Sequence, residues 1–231
     1  MCGRKTLTHD MHSIIQELAI DEWIDPDSYS LSYNIAPTQQ SPILVFENSR
    51  RIVKPMQWGL VPNWSNKQTI GSKLINARAE TLTNKPSFQN LLAKNRCVVI
   101  TDGYYEWKSS REEKHPYYFH HPQKLLLPMA GLWSSWASSE GNIILTYTII
   151  TTHPKKDFAY IHNRMPVILD PSLITTWIDV ESYCFNDTMN MLEPYPHSLT
   201  VYPVSQKVNN PQNNSPDCII NIRDISTLNL F

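Results

Sequence analysis

Cys97-Val98-Val99-Ile100-Thr101-Asp102-Gly103-Tyr104-Tyr105-Glu106-Trp107 is the stretch that decides the fold class of this chain. Its first half is rich in β-branched side chains and its second half in aromatic ones, and both types favour β-strands. Asp102-Gly103, near the middle, is a turn-forming pair. The stretch therefore predicts a strand that ends near Asp102-Gly103. The aromatic residues after this pair continue the strand pattern.

Strand candidates of the same kind recur along the rest of the chain, separated by turn-forming residues. They occupy residues 43–46, 52–56, 73–81, 117–120, 129–136, 142–152, 166–169 and 199–203. A charged turn is predicted at residues 109–114, and a loop rich in Asn and Pro at residues 206–216. The pair at 43–46 and 52–56, joined by a short polar turn, is expected to form a hairpin.

Helices are fewer than strands. Apolar spacing and capping residues predict them at residues 11–20 (cap Asp10), 84–93, and 172–179 (cap Ser172). Strands outnumber helices and follow one another at short intervals, and no linker divides the chain. We therefore expect a single mixed α+β domain over residues 1–231, mostly antiparallel.

The composition is that of an ordinary globular protein, with 41% hydrophobic and 18% charged residues among 231. Twenty Lys and Arg oppose 21 Asp and Glu, for a formal net charge of −1. This balance excludes a protein that binds polyanions over its whole surface, so nucleic-acid contacts would need a local arginine cluster. The four cysteines form no CxxC pair, and there is no signal peptide and no apolar run of spanning length. We expect a reduced, cytoplasmic chain that does not enter a membrane.

The chain begins Met1-Cys2-Gly3-Arg4. Removal of Met1 would leave the amine and the thiol of Cys2 on adjacent carbons. The amine can condense with an aldehyde, and the thiol can then close on the imine carbon to give a five-membered thiazolidine. Gly3 permits a tight backbone path, and the cation of Arg4 favours a thiolate. The alternative is that Cys2 lies on a frayed terminus and has no role.

Several polar residues elsewhere suit catalysis, and each also has a structural interpretation. On a strand, Asn76, Arg78 and Glu80 share one face opposite alanines, although a solvated edge strand would show the same pattern. Glu106 stands between two aromatic residues, where loss of solvent would raise its pKa toward neutrality; the wet face of a strand would hold it equally well. His162 precedes a predicted strand, and a lone histidine is more often structural than catalytic.

Together these residues belong to a series of motifs through which the chain resembles the SRAP family (SOS-response-associated peptidase, the abasic-site processing proteins) over essentially its whole length. The matching stretches are Met1-Cys2-Gly3-Arg4, Tyr33-Asn34-Ile35-Ala36-Pro37-Thr38, Trp58-Gly59-Leu60-Val61-Pro62, residues 76–81, 102–107, 130–133, 148–152 and 161–169, and Val208-Asn209-Asn210. The resemblance implies a compact α+β fold around a β-barrel-like core, with flanking helices and a shallow groove for single-stranded DNA. It also implies that the ring-opened aldehyde of an abasic site is captured there as a thiazolidine on the mature N-terminal cysteine.

The resemblance implies an enzyme with four catalytic residues. Cys2 is the nucleophile, first through its amine and then through its thiol. Glu106 shuttles protons during sugar-ring opening, imine formation and the reverse reaction, and His162 protonates the ring oxygen or the departing hydroxyl of the sugar. Asn76 orients the amine or the aldehyde oxygen through a neutral hydrogen bond. No metal or organic cofactor is required.

The same resemblance implies the residues that contact DNA. Candidate phosphate contacts are Arg4, Arg78, Arg164 and the hydroxyl of Thr151; candidate wedge or stacking residues are Pro37, Trp64 and, as a further candidate, Trp58. The expected partner is single-stranded DNA that contains abasic sites. We expect a monomer with no obligate protein partner, associated with the nucleoid if the source is bacterial.

The sequence departs from the family pattern at two places. Lys5 stands where the family often has an aromatic residue, and the loop at residues 65–68 is polar. The second departure would alter the grip on DNA that flanks the lesion, without changing the chemistry.

Two other classes of protein remain as alternatives. N-terminal-nucleophile amidotransferases can also begin Met-Cys-Gly, but they stabilise their oxyanion partly with an Asn-Gly pair, and this chain has no such dipeptide. A non-catalytic module that binds single-stranded DNA would use the tryptophans and arginines but would give Glu106 and His162 no role. The sequence does not decide whether Cys2 also releases its own leading residue by proteolysis.

Overall fold

The computed structural model describes residues 2–110 and 113–223. Within these residues the strands are β1 (Arg4–Leu7), β2 (Glu22–Trp23), β3 (Ser32–Ile35), β4 (Gln40–Glu47), β5 (Arg50–Trp58), β6 (Asn76–Arg78), β7 (Arg96–Val99), β8 (Gly103–Ser109), β9 (Lys114–His120), β10 (Met129–Ala137), β11 (Ile143–Thr152), β12 (Met165–Pro166) and β13 (Thr200–Pro203). The α-helices of the same part are α1 (Met11–Leu18) and α2 (Ile174–Ile178). Met1, residues 111–112 of the predicted charged turn and residues 224–231 of the predicted domain lie outside the described residues.

A closed five-stranded barrel forms the centre of the fold. Its strands follow the order β11-β10-β7-β4-β5, and β5 pairs with β11 to close the ring. The pairing that closes the barrel is parallel (Tyr147 opposite Trp58), whereas the other pairs around it are antiparallel. Along β7 all four residues are buried, because the barrel covers one face and α2 covers the other. The expectation of a mostly antiparallel, barrel-like α+β core is confirmed.

A second, antiparallel sheet lies beside the barrel, in the order β13-β9-β8-β1-β3. It places β1 between β3 and β8. Arg4 lies opposite Tyr105, and Thr6 lies opposite Gly103. Through this register, the start of the chain runs alongside the strand that carries Glu106.

The predicted helix at residues 11–20 and the predicted hairpin are both present. Asp10 caps α1, accepting a hydrogen bond from the backbone amide of Ser13 at 3.0 Å, and Ile14 and Leu18 are buried beneath the helix. The helix ends two residues before the predicted boundary because Ala19 adopts a left-handed conformation with φ of 47°. The hairpin at 43–46 and 52–56 is the β4–β5 pair.

The predicted strand at residues 73–81 is wrong over most of its length. Only β6 is extended, pairing in parallel with residues 149–151 of β11, and a 3-10 helix (Ala79–Asn84) follows at once. Glu80 therefore does not continue the alternation of Asn76 and Arg78 along one strand face. The predicted strand at 166–169 is likewise shorter, with β12 limited to Met165–Pro166.

The two later helix predictions also need correction. Residues 84–93 contain only a short 3-10 segment at Gln89–Leu91. The helix predicted at 172–179 is α2, and the capping residue of the 3-10 turn before it (Pro171–Leu173) is Asp170 rather than Ser172: a carboxylate oxygen of Asp170 accepts from the Ser172 amide at 3.0 Å. No helix within residues 2–110 and 113–223 is both long and apolar enough to cross a membrane.

Candidate active site

Cys2 is buried inside the fold and does not lie on a frayed terminus. None of its surface is exposed. The Nδ2 group of Asn76 donates to the carbonyl oxygen of Cys2 at 2.8 Å, and the thiol lies 3.9 Å from the carbonyl oxygen of Arg4. Burial, together with the negative charge of Glu106, raises the pKa of the Cys2 thiol well above its usual value. The thiol is therefore held in its protonated form until a base accepts the proton.

Glu106 supplies a carboxyl group in the same interior. It is 2% exposed, so the alternative of a glutamate on the wet face of a strand is wrong. Burial raises the pKa of Glu106 from 4.5 to about 7. A carboxyl with this pKa is populated in both protonation states near neutral pH, which is the property that a group needs in order to accept and return a proton.

His162 lies against Glu106, with 3.9 Å between its Nδ1 and the Oε1 of Glu106. The backbone amide of Arg164 donates to the same Nδ1 at 3.0 Å. Burial lowers the pKa of the His162 side chain. The neutral ring is thus the favoured form, and because its Nδ1 accepts from the amide of Arg164, its proton is carried on Nε2.

Glu106 and His162 line one open cleft. It is lined by Arg4, Glu106, Trp107, Ser109, Lys114, His162 and Asn209. Contacts connect the four catalytic candidates in two pairs, Asn76 with Cys2 and Glu106 with His162, and the charge of Glu106 acts on Cys2. The structure therefore brings all four together, from β6, β8, the start of the chain and the segment before β12.

The three candidate arginines differ in how far they are already engaged. Arg4 donates to Asn34 Oδ1 at 2.9 Å and to the carbonyl of Asn209 at 3.1 Å, so it ties the chain start to a later segment. Arg164 forms a two-point ion pair with Glu80, at 2.7 and 3.0 Å. The guanidinium of Arg78 is exposed and makes no hydrogen bond or ion pair with any residue that the structure describes. Arg78 is thus the arginine most available to a phosphate.

Two candidate DNA contacts are buried and need correction. Trp58 has no exposed surface: its ring stacks on Tyr147 with centroids 6.2 Å apart, and its Nε1 donates to the carbonyl of Ile75 at 2.9 Å. Thr151 is also fully buried. Neither side chain presents a surface to DNA in this structure, because both belong to the packing of β11 against its neighbours.

The remaining stacking candidates are accessible. Trp64 is 56% exposed, in the loop after β5, and Pro37 is half-buried before β4. The ring of Trp64 borders a shallow depression that Lys67 and Lys73 also line. An exposed aromatic side chain beside lysines is suited to a base and its phosphate.

Several residues at or near the site were not proposed from the sequence. Lys114 enters the cleft because it lies opposite Ser109 in the β8–β9 pair, a register that no local pattern specifies. Asn209 accepts a hydrogen bond from Trp107 Nε1 at 2.7 Å, and its place in the matching stretch at 208–210 was the available signal. Lys5 is fully buried and donates to Ser41 Oγ at 2.6 Å; burial lowers its pKa to about 7.

Metal coordination has no candidate among the residues that the structure describes. No group of three His, Cys, Asp or Glu side chains in that part of the chain is arranged to hold an ion. The chemistry available at the site is that of a thiol, a carboxyl, an imidazole and an amide.

The raised pKa of Glu106 predicts a stability effect with a definite sign. Between pH 4.5 and about 7 the folded protein keeps a proton that the unfolded chain has lost, so the stability falls as pH rises through this window. Glu106→Gln removes this penalty and should raise the free energy of unfolding at pH 8 by roughly 1–3 kcal/mol, with the gain fading as pH approaches 4.5. Urea denaturation at several pH values measures it.

The matched control is Glu80→Gln, at an exposed carboxylate whose pKa is lowered by its hydrogen bond with Arg164. This variant loses the ion pair and should be slightly less stable than the wild type at pH 8. A Glu106→Gln gain that stays the same at pH 5 and pH 8 would contradict a buried, titrating Glu106.

Comparison with known proteins places this site in a family. A sequence profile described as "SOS response associated peptidase (SRAP)" matches residues 1–211. The abasic site processing protein YoqW of Bacillus subtilis (strain 168) is 39% identical over 221 residues, covering 95% of this chain and 99% of that protein. The abasic site processing protein HMCES of Xenopus tropicalis is 35% identical and covers 84% of this chain and 67% of that protein.

Solved structures agree at the level of the fold. A crystal structure of a protein from Bacteroides thetaiotaomicron superposes with a TM-score of 0.85 at 24% identity, covering 95% of this chain and 99% of that one. The family profile spans the chain from its first residue to beyond β13, and both relatives exceed 30% identity over most of it. The chain belongs to the SRAP family.

Proposed function

We propose that this protein processes abasic sites in single-stranded DNA by trapping the ring-opened aldehyde as a thiazolidine on Cys2. The observation that carries the proposal is that Cys2 is buried in the same interior as Glu106, whose carboxyl has a pKa of about 7. Glu106 and His162 both line the cleft. The names of the relatives, abasic site processing proteins, support DNA with abasic sites as the target. The reaction needs Met1 removed, so that Cys2 carries a free amine.

The first steps open the sugar and form an imine. In our proposal His162 donates its Nε2 proton to the ring oxygen of the closed lesion as the ring C–O bond breaks, and it takes up the proton that the anomeric hydroxyl loses, so the aldehyde is exposed and the imidazole ends neutral. The Cys2 amine attacks the aldehyde carbon to give a carbinolamine. Glu106 then protonates the departing hydroxyl, one water leaves, and an iminium ion remains.

The last step closes the ring. Glu106, now a carboxylate, accepts the thiol proton of Cys2, and the sulfur forms a bond to the iminium carbon. The result is a five-membered ring with one water released in total and no change of oxidation state. The same carboxyl can return its proton to nitrogen or sulfur, so the protein is also equipped to reverse the linkage.

Asn76 is assigned to hold the amine in place. Its Nδ2 is occupied by the carbonyl oxygen of Cys2. Its Oδ1 is buried and has no hydrogen-bond partner within the described residues. A buried acceptor without a partner is costly, and the amine of the mature Cys2, attached to the same residue as that carbonyl, is a donor suited to it.

The DNA contacts that the geometry favours are few, in keeping with the net charge of −1. We propose Arg78 as the principal phosphate contact and Trp64, with Pro37, as the surface that separates and stacks bases. Arg4 lines the cleft, and Arg164 lies next to His162. We assign both to secondary phosphate contacts, because each guanidinium already makes hydrogen bonds within the protein. Stacking requires unpaired bases, so single strands are the preferred form, and we expect the protein to act on them as a monomer.

A binding module without chemistry would not need these buried groups. Glu106 at 2% exposure lowers stability above neutral pH and contributes no surface to DNA. Such a cost is typical of catalytic groups. We therefore favour an enzyme over a passive single-strand binder, and we assign any peptidase activity to the release of the residue that precedes Cys2.

The first prediction concerns Cys2. Cys2→Ala and Cys2→Ser should both abolish the heat-stable crosslink with abasic single-stranded DNA on a denaturing gel, since alanine lacks the second nucleophile and serine gives at best a less stable oxazolidine. An alanine inserted ahead of Cys2 should be equally damaging, because it converts the amine into an amide. Cys184→Ala, at an exposed cysteine, is the control and should crosslink normally. A persistent adduct with Cys2→Ala would refute the proposal.

The second prediction concerns Arg78. Arg78→Ala should weaken binding to single-stranded DNA and reduce the slope of log affinity against log salt by about 0.7 for each phosphate that the variant no longer neutralises. Arg50→Ala is the matched control, because Arg50 is exposed at the β4–β5 turn and pairs with Glu22. Fluorescence anisotropy across a salt series measures both. Arg50→Ala should keep the wild-type slope. If Arg78→Ala also kept it, Arg78 would not contact the DNA.

A further inference from the structure

We propose that Tyr160, with Lys108 packed against it, is a stacking platform for the base adjacent to the abasic nucleotide; this rests on the function proposed above. Tyr160 is 58% exposed, so one face of its ring is accessible to a ligand. The Nζ of Lys108 lies 4.9 Å from the centroid of its ring. Neither residue has a role in the chemistry at Cys2.

The position of the pair relative to the site is set by two short sequence intervals. Lys108 follows Glu106 by two residues on β8, so both side chains lie on the same face of the sheet. Tyr160 precedes His162 by two residues. The Lys108–Tyr160 contact therefore runs beside the Glu106–His162 contact, displaced by about 6.6 Å along β8, which is two residues of strand rise. This displacement suits the nucleotide next to the one held at Cys2.

The exposure of Tyr160 does not come from a loose loop. The turn that carries it is closed by a hydrogen bond from the amide of Ile161 to the carbonyl of Phe158 at 2.9 Å. Ile161 is buried, and the ring of Phe158 packs edge-on against Phe119 with centroids 5.5 Å apart. The two neighbours anchor the backbone, and the ring of Tyr160 is held outward from a fixed position.

The charges around the ring favour a nucleic acid as the occupant. Lys108 is half-buried beside Tyr160, and Lys114 lines the cleft that Glu106 and His162 share. Glu113 is the nearest acid in sequence to Lys114, and its carboxylate accepts a hydrogen bond from Gln206 at 3.0 Å. One lysine against an exposed ring, with a second lysine in the cleft of Glu106 and His162, matches a base and its phosphates. An abasic nucleotide has no base of its own, so the nearest base that can stack on Tyr160 is that of the adjacent nucleotide.

The test measures non-covalent binding by anisotropy. The probe is a short single strand with a central tetrahydrofuran, a stable abasic analogue that has no aldehyde and cannot crosslink. One version carries bases on both flanking nucleotides, and the other replaces both flanking nucleotides with tetrahydrofuran. The proteins are the wild type, Tyr160→Ala, Tyr160→Phe and, as a matched control, Tyr183→Ala at another exposed tyrosine.

We expect Tyr160→Ala to bind the first probe about tenfold more weakly than the wild type, in the range of a single base–aromatic stack, while Tyr160→Phe and Tyr183→Ala bind normally. On the second probe, Tyr160→Ala and wild type should bind equally. An unchanged affinity of Tyr160→Ala, an equal loss on both probes, or an equal loss with Tyr160→Phe would overturn the inference alone. Failure of the wild type to bind either probe would instead refute the proposed function.

Discussion

The pairing of β1 with β8 holds the start of the chain inside the fold, and the site depends on this constraint. A terminal strand frays unless it is tied down. Here Asp102, just before β8, accepts hydrogen bonds from the hydroxyl of Thr6 and, at 2.6 Å each, from the amide and hydroxyl of Thr8. At the first residue of β1, Arg4 donates to the backbone carbonyls of Val208 and Asn209, in the segment after β13. Cys2 is thereby fixed in the interior, against Asn76, instead of moving in solvent.

This constraint brings together groups that the fold would be more stable without. A buried carboxyl with a pKa of about 7 and a partly buried imidazole both lose favourable solvation. The surrounding core is rigid, because the barrel is closed by β5 and β11 and has no free edge there. That rigidity preserves the spacing of Cys2, Glu106 and His162, which lets weak nucleophiles and a single carboxyl act in sequence.

The sequence predicted those features whose signals are local. The apolar spacing with Asp10 located α1. The aromatic neighbours of Glu106 fitted burial and the wet face of a strand equally well, and the structure decides for burial. The closure of the barrel by parallel β5 and β11 was not predictable, because residue patterns specify faces and not partners. The family resemblance made Trp58 a further stacking candidate, but its ring is buried against Tyr147. The ion pair of Arg164 with Glu80 joins positions 84 residues apart, which no local pattern could connect.

The most direct measurement of the central claim is the intact mass of the mature protein after reaction with an abasic single-stranded oligonucleotide, before and after treatment with borohydride. A thiazolidine predicts a conjugate with the mass of protein plus DNA minus one water, located at Cys2 by fragmentation and unchanged by borohydride. An open imine would gain two hydrogens under reduction. A conjugate that gains them, one that maps to another residue, or no conjugate at all would contradict the account.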